Sequence, residues 1–165
     1  MLCFSVPNTR DIMEELKMQI VSAEKAKLAV QFLTPLVEGL FAQGITKRNV
    51  LCVSVALSDD TFFEHQFGDL PREQWSNDYK LVAKDKALLS HRERKNTRLI
   101  VTSEPALLYE GAILYGGGVH LDGITVGASG VEWYYDEMFA TMLASIIRAL
   151  IHKHVEFALT QGHYA

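Results

Sequence analysis

Two cysteines, four prolines and no surplus of basic residues mark this sequence first by what it has little of. Cys3 lies near the N-terminus and Cys52 inside an apolar run, so a disulfide framework is not expected and a reducing compartment is. Lysine and arginine number 16 against 20 aspartates and glutamates, a formal net charge of -4. The cationic run "HRERKN", His91 to Asn96, is short and contains an acid, so no nucleic-acid partner is expected. No apolar run reaches the ~18 residues that a membrane span needs. The start, "MLCFSVPNTR", lacks the charged opening and sustained apolar core of a signal peptide. A cytoplasmic protein with no membrane association is the expectation.

What is there suits one compact core. With 165 residues and 48% hydrophobic content, the chain reads as a single domain over 1–165, residues 1–14 forming a flexible N-terminal segment. Glu15 to Val21 is β-prone and ends at Ser22, whose hydroxyl is placed to cap a helix that Gly44 stops. Ala29, Phe32, Leu33, Leu36, Val37 and Leu40 recur along it at helical spacing, and Pro35 predicts a kink near Thr34. Asn49 to Leu57 and Thr61 to Phe67, joined by "SDD", predict an antiparallel hairpin. Tyr79 to Arg94 is rich in helix formers, with Leu81, Val82, Leu88 and Leu89 available to a core. A second helical piece follows Asn96-Thr97, and Ser103-Glu104-Pro105 opens a further short turn.

The stretch "LYGGGVHLDGITVGASG", Leu114 to Gly130, concentrates the glycines. Asp122-Gly123 is a strong tight-turn signal between the strand-like "VHL" and "ITVGA". A long helix from about Tyr135 to Leu159 then carries an apolar stripe, from Phe139 through Ile147 and Val155 to Ala158, that closes the core. Strand, helix, two strands, helices, two strands and helix is not βαβ alternation. It predicts an α+β fold, an antiparallel sheet with helices mainly on one face.

Several patterns bear on chemistry. The glycines lead into a strand and lack the P-loop lysine, so a shaping role outweighs a phosphate-binding one. His152 and His154 stand two apart on a helix, which sends them to different faces, and no metal site is expected. His154 falls on the apolar stripe and reads as a packing histidine. His65 and His120 each occupy a hairpin strand, where either can face a pocket, depending on register. "GASGV" around Ser129 is not the G-x-S-x-G of a nucleophile elbow. Lys84, Asp85 and Lys86 read as a solvated helix face from which one lysine can reach an anionic ligand. Asp59-Asp60 reads as a solvated turn pair, and Asp136-Glu137 suits the start of the last helix.

The run "AKDKALLSHRERKNTRLI", then "GGGVHLDGITVGASGV", then Asp136-Glu137 resembles the haem-degrading/GlcG-like family, which includes haem-binding regulators and the C-terminal domains of some corrinoid adenosyltransferases. The shared features are Lys86-Ala87, Gly117-Gly118, Gly123, Gly127-Ala128, Gly130-Val131 and the acid pair. The resemblance extends loosely from about Ser22 to the last helix and is densest from Lys84 to Glu137. His120 stands where the family usually has proline, and Glu132-Trp133 where it has Ser-Gly. The resemblance implies a profilin-like antiparallel sheet with flanking helices, a homo-oligomer (dimer or higher), and glycine elements that line a pocket or subunit interface.

The leading expectation is a small cytosolic binding or accessory protein that takes haem or another planar or anionic small molecule. Its ligand-binding candidates are His120, Lys86, Gly117, Gly118, Gly127, Gly130 and His65. The alternative is a small metabolite- or cofactor-processing enzyme with His65 or His120 as acid or base, and a third reading makes the final helix a partner-binding surface.

Overall fold

The computed structural model of the protein describes residues 21–160. The flexible segment 1–14 and residues 15–20 of the expected strand lie outside the described residues, and Val21 is in a bend. Helix α1 (Ala23–Ala42) starts where expected: the Ser22 hydroxyl accepts from the Lys25 N–H at 3.2 Å. It runs unbroken through Pro35, where the lost bond falls on the solvent side and the Thr34 hydroxyl donates to the Val30 carbonyl at 2.7 Å. Its buried face is Ala26, Ala29, Val30, Leu33, Val37 and Phe41. Phe32 and Leu36, expected inside, are exposed.

Strands β1 (Leu51–Ala56) and β2 (Phe62–Phe67) pair antiparallel, as do β3 (Gly118–Leu121) and β4 (Ile124–Ser129). Asp122 and Gly123 both take positive φ, 49° and 85°, which two-residue hairpin turns require. The hairpins join through an antiparallel β1–β4 pair, giving the order β2-β1-β4-β3. Between them lie α2 (Tyr79–Glu93) and the short α3 (Thr97–Ser103), and α4 (Trp133–Thr160) follows.

The expectation of helices mainly on one face is corrected. Leu51, Val53 and Val55 of β1 and Ile124, Val126 and Ala128 of β4 pack with α1 and α4, where Phe139, Leu143 and Ile147 fill the core. The opposite face presents Cys52, Ser54, Thr125, Gly127 and Ser129, and α2 lies on it through Ala83 and Ala87. A Cβ on Gly127 would stand 1.9 Å from the Ala83 carbonyl oxygen. Small residues on both sides let backbone meet backbone; Leu81 and Leu88 face solvent, and the buried positions of α2 are Tyr79, Ala83, Lys86, Ala87, Leu89 and Ser90.

Candidate functional site

The residues singled out in the sequence separate into two places. The first is a sealed seat where α2, the β3–β4 hairpin and the start of α4 converge. Lys86 is buried there, which corrects the solvated-face reading. Its Nζ donates to the Ala128 carbonyl at 2.9 Å and to Asp136 Oδ2 at 3.1 Å. Asp136 Oδ1 accepts from the Val131 N–H at 3.2 Å. Burial lowers the Lys86 ammonium and pushes the Asp136 carboxyl up to about 6, with Lys86 pulling against that rise.

The glycines build this seat. A Cβ on Gly117, whose φ is 117°, would stand 2.8 Å from Lys86 Nζ. One on Gly118 would meet Thr97 Cγ2 and the Lys86 carbonyl, and one on Gly130 the Val50 carbonyl. Each glycine admits a neighbouring chain. Ser129 is buried on the α2 face, and burial pushes the Cys52 thiol up to about 12.

The second place is an open groove of about 1380 Å³ at the end of the sheet where β1 leaves and β3 turns into β4. His91 from α2, His120 from β3 and His152 from α4 line it, with Arg92, Arg94 and Arg148. Leu57, Leu88, Ile124 and Ile151 supply apolar wall, Tyr109 an aromatic ring, and Asp59 and Asp122 the acids. Register puts His120 opposite the buried Thr125, on the α2 face. Its Nδ1 lies 2.8 Å from Thr125 Oγ1, and His91 Nδ1 lies 3.3 Å from the same oxygen. His91 Nε2 is 3.0 Å from Asp59 Oδ1, so Asp59, read as a solvated turn residue, also has an imidazole partner. Burial, helped by the nearby His91 and Arg94, lowers the His120 imidazole below its ordinary range.

The arginines differ in freedom. Arg148 pairs with Asp122 at 2.8 Å, while Arg92 bonds Glu93 and the Leu107 carbonyl and lies over the Tyr109 ring. Arg94 donates its backbone N–H to the Ser90 carbonyl, and its guanidinium has no partner among the described residues. It caps α2 in the left-handed region at φ 53°, a conformation that costs a non-glycine residue about 1 kcal/mol.

His65 is in neither place. It sits on β2 opposite Val53, edge-on to Phe67 at 4.7 Å, and burial lowers its imidazole. His154, expected to pack, is exposed. Among the described residues no group of three or more histidine, cysteine, aspartate or glutamate side chains is arranged to hold a metal ion. No helix of the described residues is long and apolar enough to cross a membrane. Sequence reasoning did not bring His91, Arg94 or Arg148 to the groove. For His91 and Arg94 the available signal was "HRERKN", whose charge alone gives no placement; for Arg148 there was none.

No protein-family model matches the sequence, and no curated protein does. Among solved structures it is similar to Klebsiella pneumoniae protein ORFY, of the family model DUF336, with a TM-score of 0.53 and 17% identity. The match covers 78% of this chain and 91% of that chain. DUF336 is a GlcG-like family, and at this identity the likeness shows the shared fold: a mixed α+β arrangement with an antiparallel sheet and a long C-terminal helix.

Proposed function

We propose that the protein is a cytoplasmic binding or accessory protein whose groove takes a planar, anionic small molecule of haem size, without catalysis. The observation that carries this is the convergence of three imidazoles and three guanidiniums on one apolar-walled groove. Guanidinium forks suit carboxylates or phosphates, imidazole nitrogens suit a metal or a proton donor, and the aliphatic wall suits a ring face. This donor set fits an iron porphyrin: Arg94 and Arg148 for its carboxylates and His120 for its iron, which when bound supplies an acceptor for an imidazole lone pair. Lys86 and the glycines would then support the groove rather than touch the ligand. Self-association belongs to the same reading, and the row of exposed Leu28, Phe32 and Leu36 along α1 supports it.

Haemin titration tests it. A saturable, stoichiometric Soret shift is expected, reduced about tenfold or more in affinity by His120→Ala, while the variant remains folded by circular dichroism. The absence of saturable binding would overturn the haem-size reading, and a monomeric mass in solution would overturn self-association. The lowered His120 imidazole beside a second histidine also favours an enzyme with a histidine acid or base. A bell-shaped pH–rate profile abolished by His120→Ala, found in a metabolite screen, would select that reading.

A further inference from the structure

The contacts Asp59–His91–Thr125–His120 form one continuous chain of hydrogen bonds from solvent into the groove. We propose that Asp59, His91 and Thr125 are positioning residues that fix His120 as the Nδ1–H tautomer and leave its Nε2 as a bare lone pair facing the groove. The inference rests on the groove being the ligand site only for what that lone pair is used for.

Proton counting gives the chain its direction. A carboxylate only accepts, so with Asp59 Oδ1 at 3.0 Å the hydrogen of a neutral His91 sits on Nε2. That leaves His91 Nδ1 able only to accept, and its neighbour is Thr125 Oγ1 at 3.3 Å. A hydroxyl has one proton to give. Once Thr125 donates it to His91, its oxygen accepts, and His120 Nδ1 at 2.8 Å must carry the hydrogen. With His91 neutral, the reverse polarity would set its bare Nε2 lone pair against a carboxylate. His120 Nε2 has no partner among the described residues, and the orphaned buried side-chain polar atom found among them is Ser54 Oγ, so this nitrogen is reachable from the groove. The His120 backbone is held as well, its N–H donating to Asn96 Oδ1 at 2.9 Å. A nitrogen with a bare, aimed lone pair recognises a Lewis-acidic metal or a hydrogen-bond donor, and its basicity is set by what the other ring nitrogen bonds.

The tautomer can be read without a ligand, which separates this proposal from the one above. A two-bond 1H–15N spectrum of the 15N-histidine-labelled full chain at pH 7.5 should show His120 protonated on Nδ1 and bare on Nε2. Thr125→Val should move it to the Nε2–H form. Because Thr125 is buried, the exposed-turn variant Asp59→Ala is the second probe: it should leave the fold intact, release the fixed tautomer and lower haemin affinity about tenfold. A His120 that is Nε2–H in the unaltered protein, or a tautomer unmoved by both variants, would overturn the proposal even if haemin binds. A fixed Nδ1–H tautomer in a protein that ignores haemin would uphold the chain and remove only the ligand.

Discussion

The sealed seat around Lys86 and the open groove around His120 lie on the same hairpin, yet they use polar residues in opposite ways. In the seat, the two charged groups are matched inside the protein: Lys86 by Asp136 and the Ala128 carbonyl, and Asp136 also by the Val131 N–H. In the groove, the Arg94 guanidinium and His120 Nε2 have no partner among the described residues, and Asp59 is fully exposed at its side chain. Glycines surround the first and are represented in the second only by the turn residue Gly123. Glycine density here measures how closely backbones approach, whereas the groove is where charged and imidazole groups keep open hydrogen-bonding capacity.

The comparison breaks most sharply at Gly127. Gly127→Ala should cost roughly 4 kcal/mol or more, the upper end for one substitution, because the new methyl meets the α2 backbone and no flexible side chain can yield. Chemical denaturation measures it, and a loss under 1 kcal/mol would mean that α2 shifts freely. Next comes the ion pair. Lys86→Met should cost about 3–5 kcal/mol by stranding a buried carboxylate, whereas the double variant Lys86→Met, Asp136→Leu should recover much of that loss. Equal instability of single and double variants would show that packing, not charge, governs the seat.

The smallest effects are in pH, where the two regions should drift in opposite directions. The folded value of Asp136, about 6, lies above its unfolded 3.8, so its contribution to stability falls as pH rises through that window. The folded His120 value lies below its unfolded 6.5, so its contribution is lost as pH falls below that value. Denaturation midpoints between pH 4 and 7, compared with Asp136→Asn and His120→Ala, isolate the two slopes. Parallel slopes would contradict the division between seat and groove.

Local signals in the sequence carried much of the fold. Asp122-Gly123 forms the expected hairpin, Ser22 caps the expected helix, and the long final helix buries Phe139, Leu143 and Ile147 as its stripe implied. Each depends on residues within a few positions of one another. Errors arose where burial depends on distant chain: Phe32 and Leu88 lie outside although apolar, and Lys86 lies inside although charged. Of the candidate groove, the sequence offers His120 and the run "HRERKN" as separate features; their meeting across Thr125 depends on strand pairing.

By itself, the sequence determined the elements, their turns and the antiparallel α+β class, because helical period, capping and positive-φ turns are set by neighbours along the chain. Tertiary structure decided the strand order, the face each strand residue presents and the convergence of His91, His120 and His152. The physical reason is register. The β1–β4 pairing joins residues more than 70 positions apart, and a slip of one residue would turn every side chain to the other face.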